Sequence, residues 1–421
     1  MLLLGSILTT GNHTVCNILR VLGGLMPGTP SSFHRVLSSR RWKPWVLSRV
    51  LATFILKQWV PDGSVFLAGD DTVDGHKGKH VYGKGCHRDA VRSTHSYTAY
   101  RWGHKWVVLA ILVSFPFASR PWALPVMVAL YRSKEWNNKH KRRHKTPPEL
   151  MRQMLAVLLR WFPQRRFVLS GDGNFNTHDL AHFCSRRAGR MTLVSRFFPD
   201  ANLYALPPKK RNKKGGRPRK KGHKQPSPEQ VVARTKKRTR LSVKWYGGGR
   251  RKIEIVSGLG HWFKAGESLV PIRWVFVRDL SGTHRDEYFF STDPGMSPQE
   301  IVETFTGRWS IEVTFEELRA YMGLETTRGW SEQTVLRMAP SLMGLYSVVA
   351  LLYAALPPRK AQAGAIKWKG KQTTTYSDAI TAVRRWLWRE WVFERVGHDA
   401  AFSKLHSKFK ERLLYALAPV A

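Results

Sequence analysis

Cysteine is scarce in this chain, with Cys16, Cys86 and Cys184 the only three among 421 residues. An odd number at wide spacing excludes a disulfide framework and suits a reducing cytoplasm, where a basic chain would gather on the nucleoid. Acidic residues are also few: 29 Asp plus Glu stand against 70 Lys plus Arg, a formal net charge of +41. That excess excludes most small-molecule enzymes and makes nucleic acid the default partner, because neutralised phosphates release counterions. A secretory leader is not expected, since Met1-Leu2-Leu3-Leu4 has no basic residue ahead of its apolar stretch and no small-residue cleavage pattern close behind. Long charge-free runs are lacking apart from residues 338–356. There Pro340 and small residues break the run, and a buried core helix is preferred to a membrane span. Opening in an apolar helical stretch points to a late start and an incomplete N-terminal unit.

What is present is ample core material, with a hydrophobic fraction of 43% that includes 17 Trp, 20 Phe and 12 Tyr. Residues 1–60 alternate apolar and basic positions at helical spacing over 14–22, 31–42 and 44–56, which predicts an all-helical DNA-binding unit. From Gly63 the pattern changes to short apolar runs at 65–68, 106–113 and 122–130, read as strands. A helix over 149–160, a strand at 167–169, a helix over 177–187 and a strand at 191–194 follow. Residues 61–205 are therefore expected to form a mixed α/β sheet flanked by helices. Residues 206–295 read as a basic arm and a β-rich insertion. Ten of the sixteen residues at 209–224 are Lys or Arg, so no core can be built there, and Arg217, Arg219 and Lys220 are expected to lie on phosphates or in a minor groove. Strands at 252–256, 272–277 and 288–291 complete the insertion. Helical pattern returns over 296–356, opened by Ser297 as N-cap, Pro298 at the first position and Glu300 three residues after the cap. Residues 357–421 stay helical and basic.

In so basic a chain the few acids are informative. Between Asp74 and Asp172 only Asp89, Glu135 and Glu149 occur. Against that background Asp70-Asp71-Thr72 and Gly171-Asp172-Gly173 both follow apolar runs and are expected at strand ends, where sites gather in open α/β sheets. Two such carboxylates can share a hard divalent cation, which prefers oxygen ligands. A third acid would complete a two-metal site, with ions roughly 3.5–4 Å apart. The helical run through Phe305, Arg308, Glu312, Glu316, Glu317 and Arg319 offers one. Arg308 and Glu312 are four apart, and Arg319 lies seven further on, stacking cation, acid and cation along one face. Read alone, the run is equally an ion-pair ladder on a helix surface.

Together these features resemble the insertion-sequence DDE transposases, whose third acid lies in a Tyr-x2-Arg-x3-Glu-x6-Lys signature. Phe305, Arg308, Glu312 and Arg319 occupy that spacing. The resemblance also takes in Asp70-Asp71-Thr72 at the first acid, Gly171-Asp172-Gly173 at the second, and the β-rich segment between the second and third. It implies an RNase H-like catalytic core interrupted by a β-domain, with two Mg²⁺ or Mn²⁺ ions on Asp71, Asp172 and Glu312. Asp71 is preferred over Asp70 because Thr follows it, and the choice stays open. Phe305 stands where the family often has Tyr, and Arg319 keeps the cation in place of Lys.

The resemblance further implies a transposase of a bacterial insertion sequence. It would bind double-stranded terminal repeats and target DNA as a homodimer, hydrolyse a phosphodiester to free a 3′-hydroxyl, and transfer that strand, with Arg308 stabilising phosphate charge. Competing readings are a non-catalytic nucleic-acid binder and a metal-dependent nuclease without strand transfer. No membrane is expected. Trp245 or Trp262 could hold an unstacked base, although core packing explains both. His76, His80, Cys86 and His87 have metal-binding side chains, but their spacing argues against a closed zinc site.

Overall fold

The computed structural model describes all residues except 90, 91, 95, 209–218, 394–398, 420 and 421. Its described residues form one eleven-stranded mixed sheet flanked by helices. The strands are β1 (Ser64–Gly75), β2 (Gly85–Arg88), β3 (Tyr100–Val113), β4 (Trp122–Tyr131), β5 (Arg166–Gly171) and β6 (Met191–Arg196). β7 (Leu203–Tyr204), β8 (Thr239–Lys244), β9 (Arg250–Trp262), β10 (Val270–Asp279) and β11 (Glu287–Ser291) follow. In space the order is β2-β3-β1-β5-β6-β11-β10-β9-β7, with β4 also on β3 and β8 also on β9.

Strand β1 is the hinge of this arrangement. It runs antiparallel to β3 from Leu67↔Ile111 to Gly75↔Gly103, and parallel to β5 from Ser64↔Arg166 to Gly69↔Gly171. The expected strand end at Asp70-Asp71 is thus corrected. Both acids lie inside β1, because the long β3 keeps pairing after β5 has stopped. They sit at a strand end only with respect to the parallel partner. β5 and β6 are also parallel, and β11 joins β6 antiparallel through Phe289↔Arg196, Phe290↔Ser195 and Ser291↔Val194, so the strands of residues 239–291 continue the same sheet.

Helices cover both faces for reasons visible in their ends. The helix Pro147–Trp161 begins with a complete capping box, Thr146 accepting from the Glu149 N–H while Glu149 accepts from the Thr146 N–H, and it buries Met151, Met154, Leu155 and Leu158. Met151 lies against Gly69, on the face of β1 opposite Asp70. The helix Pro298–Gly307 starts with a second capping box on Ser297 and Glu300. Next along the chain, Ser310–Tyr321 covers the Asp70 face.

Residues 1–60 hold four helices, Leu2–Leu8, Val15–Leu22, Pro30–Ser38 and Pro44–Trp59. They are fastened to the C-terminal half by buried arginines. Arg337 donates to the carbonyls of Leu37 (2.9 Å), Arg40 (2.6 Å) and Trp42 (3.0 Å), and Arg384 donates to those of Ile7 (2.7 Å) and Thr9 (3.1 Å). Arginine suits this work because its planar fork reaches several acceptors at once. The helix Glu332–Ala355 runs on through Pro340 and is long and apolar enough to cross a membrane, yet 67% of its most apolar window is buried inside the protein.

Candidate active site

Asp70, Asp172 and Glu312 gather around the Arg308 guanidinium. Successive side chains of a strand point to opposite faces, so Asp70 and Asp71 diverge. Asp70 shares its face with Thr72 and Asp74, and Asp172 follows directly where β5 stops pairing with β1 at Gly69↔Gly171. Asp172 itself caps the short turn Gly173–Phe175, accepting from the Asn174 N–H at 2.9 Å, while Ser195 Oγ donates to its carbonyl at 2.9 Å. These bonds hold the second acid at the mouth of β5.

Arg308 links Asp70 and Glu312. Its Nη1 is paired with Asp70 Oδ2, and its Nη2 lies 2.7 Å from Glu312 Oε1. The expected single helix through these residues is interrupted, because Pro298–Gly307 ends before Arg308 and Ser310–Tyr321 begins after Trp309. Arg308 and Trp309 nonetheless keep right-handed helical dihedrals, so the four-residue spacing still brings Arg308 and Glu312 into contact. Arg319 reaches the same face of β1, donating to Thr72 Oγ1 and to the Val73 carbonyl (3.2 Å), and its Nε lies 3.1 Å from Glu325 Oε1. Phe305 is buried and stacks on Phe289 with ring centres 4.3 Å apart, an apolar setting in which a phenol hydroxyl would need a partner.

Asp71 is held differently. Lys105 Nζ of β3 lies 2.9 Å from its Oδ1, and its Oδ2 is buried without a hydrogen-bond partner among the described residues. Burial raises the Asp70 pKa, Arg308 works against that, and the charges of Asp172, Asp71 and Glu312 add to it, so the carboxyl is held above the usual carboxylate range. Asp172 is likewise raised, by burial first and then by Asp71, against the pull of Arg308. Four carboxyl groups meet only two cations, Arg308 and Lys105, in a poorly solvated place. With an orphaned carboxylate oxygen beside them, these all-oxygen donors fit hard divalent cations such as Mg²⁺ or Mn²⁺.

Of the arm residues, Arg219 and Lys220 are exposed beside Phe263 and Glu267, and Arg217 lies outside the described residues. The arm's end is stitched to the sheet edge. Ala205 N donates to the His223 carbonyl at 3.0 Å, Gln225 N to that of Leu203 at 2.9 Å, and Lys221 lies over the rings of Tyr204 and Phe263. Trp245 and Trp262 are both buried in the core. Lys105 carried no signal of its own in the sequence; only the β1–β3 register, unknown beforehand, brings it to Asp71.

The family model described as DDE superfamily endonuclease matches residues 1–252, and the model described as archaeal putative transposase ISC1217 matches residues 263–338. No curated protein matches the chain. Among solved structures, the chain is similar to piggyBac transposase in its synaptic complex with hairpin DNA, at 10% identity and a TM-score of 0.43, covering 99% of this chain and 74% of that one. With more than half its length inside one family model and a transposase model over part of the remainder, the chain belongs to the DDE superfamily endonucleases, as an insertion-sequence DDE transposase.

Proposed function

We propose that this transposase binds the ends of its own DNA element and cuts and rejoins DNA by metal-dependent phosphodiester chemistry. The observation that carries the reading is the convergence of Asp70, Asp172 and Glu312, from a strand, a strand end and a helix, with Arg308 between the first and third. Of the pair that the sequence left open, Asp70 is the better first acid, since Arg308 joins it to Glu312. Asp71 stands alongside as a further oxygen donor. The strand order β4-β3-β1-β5-β6, antiparallel on one side of β1 and parallel on the other, supports an RNase H-like core made from residues 61–205 and 296–356. On this reading residues 206–295 are its insertion, residues 1–60 and the arm grip duplex DNA, and two chains pair to hold two ends.

A divalent ion on these carboxylates makes a neighbouring water a better nucleophile and offsets charge on the phosphate. The residues do the rest. Asp70, Asp172 and Glu312 fix where the reacting phosphate can sit, and Arg308 and Arg319, on the same side of β1, take up charge on its oxygens. Water attacks phosphorus and the bond to the 3′-oxygen breaks; the freed 3′-hydroxyl then attacks a target phosphorus in the same site, forming a new phosphodiester as the target's own 3′-oxygen leaves with a proton.

The test is cleavage of DNA carrying the element's ends in Mg²⁺ or Mn²⁺, with binding followed in parallel. Asp70→Asn, Asp172→Asn and Glu312→Gln should bind normally and cut at least about a hundredfold more slowly, a loss of roughly 3 kcal/mol in the barrier. Asp71→Asn should lose less, and a dead Asp71→Asn beside an active Asp70→Asn would reverse that assignment. Wild type that binds the ends but never cuts sinks the catalytic reading. Nicking without joined product makes the chain a nuclease.

A further inference from the structure

Further along β1, on the same face as Asp70, lies a second polar cluster that the carboxylate chemistry does not use. Asp74 is fully buried where β1 meets β3. The strands can close there because residue 103 is glycine: a Cβ at that position would lie 1.7 Å from the Asp74 carbonyl oxygen. Two donors fix the Asp74 carboxylate. The His104 N–H reaches Oδ1 at 3.1 Å, and the Trp106 indole N–H reaches Oδ2 at 3.1 Å. Two imidazoles then approach the same carboxylate less closely, His76 Nε2 at 3.4 Å from Oδ2 and His104 Nδ1 at 3.5 Å from Oδ1.

The His104 tautomer is set from behind. Its Nε2 lies 2.9 Å from the Tyr82 carbonyl oxygen, which can only accept, so Nε2 carries the hydrogen. A neutral His104 therefore turns the lone pair of Nδ1 toward a carboxylate, acceptor against acceptor. Either a second proton or a cation must lie between them. A ring N–H anchored on a backbone carbonyl, and a carboxylate held by outside donors, is how metal ligands are commonly oriented. The ligand atoms of all three residues lie within 4.8 Å of one another. Ligands at about 2.0–2.1 Å from a tetrahedral Zn²⁺ stand roughly 3.4 Å apart, close to the spacings seen. Arg101 and Arg319 both turn their guanidinium groups to Glu325 rather than to Asp74.

We propose that Asp74, His76 and His104 bind one divalent transition-metal ion, Zn²⁺ by preference, at a site separate from the carboxylates around Arg308. Two imidazoles and one carboxylate form a donor set softer than the all-oxygen cluster and suit zinc over magnesium. His76 lines a cleft of about 1260 Å³ together with Lys77, Lys79, Lys84 and Arg328, which gives an entry path and leaves the fourth position to water. An ion there ties the segment after β1 to β3 and so fixes the lysines on the cleft rim. The histidines lie 28 residues apart in the chain on different elements, so their spacing carried no zinc signature.

The test uses the full chain, stripped with chelator and titrated with ZnCl₂ by calorimetry, with metal content read by mass spectrometry and Co²⁺ as a spectroscopic stand-in. Wild type, Asp172→Asn and Glu312→Gln should each take up one Zn²⁺ at this site and give the intense visible bands of four-coordinate Co²⁺. His76→Gln, at the solvent side, should weaken that uptake at least about tenfold and lose the bands. His104→Gln should do the same, and His76→Gln alone decides if that variant does not fold. Uptake unchanged in His76→Gln, or no uptake by wild type, overturns the proposal. Because the carboxylate variants keep the ion, the result is independent of whether the chain cuts DNA.

Discussion

A guanidinium buried between two carboxylates is an expensive thing to fold around, since desolvation of the three charges competes with their attraction. Burial works against the Arg308 charge, and Asp70, Glu312 and Asp172 restore it. A single buried acid elsewhere shows the cost without that compensation. Glu317 accepts from the Tyr346 hydroxyl at 2.6 Å, yet burial outweighs this bond and the Arg120 charge and pushes its pKa up to about 7. The folded protein then holds a proton that the unfolded chain releases near pH 4.3. Stability from this group is complete below that value, falls as pH rises to about 7, and is level above. Glu317→Gln should therefore match wild type in thermal unfolding at pH 4.5 and exceed it by about 1–2 kcal/mol at pH 8, the figure being discounted for partial exposure. Single residues were legible in the sequence where a pattern marked them, as with Asp172 between glycines and the Arg308–Glu312 spacing. They were illegible where the fold chose a face. Asp70 against Asp71 turns on which helix covers which side of β1, and Arg384, one of a basic run, is buried because its guanidinium finds carbonyls of the first helix.

Elements were easier to read than contacts, because periodicity and caps are local. The expected strands at 65–68, 106–113, 122–130 and 167–169 lie within observed strands, and the cap at Ser297 is a full capping box. Ser297→Ala should cost about 1 kcal/mol in chemical unfolding by freeing an N–H at the start of Pro298–Gly307, and should leave DNA affinity unchanged. A loss of affinity would mean that this cap also positions Arg308. Two boundaries escaped the pattern. β1 runs to Gly75 because β3 offers it partners that no local signal announces, and the helix break at Arg308–Trp309 has neither Pro nor a polar cap to mark it. The long apolar helix reads the same way in sequence whether it faces lipid or core; only the neighbours that bury it distinguish the two.

At the scale of the molecule, charge and sheet act together. Net charge of +41 predicts binding that weakens steeply with salt, each phosphate contact adding about 0.9 to the slope of log K against log salt. Replacing Arg219 and Lys220 with alanine should flatten that slope by about 2, read by fluorescence anisotropy between 50 and 200 mM salt; an unchanged slope would remove the arm from the interface. The joining of β11 to β6 was not visible beforehand, since the strands between 239 and 291 read equally well as a detached unit. That junction makes the span from carboxylates to arm a count of strands. From β5 through β6, β11, β10 and β9 to β7 there are five steps of about 4.8 Å, roughly 24 Å. A hydrogen-bonded sheet resists stretching, so under the proposed function it serves as a caliper: DNA gripped at the far edge would meet the carboxylates a fixed distance away, about seven base pairs along a B-form helix.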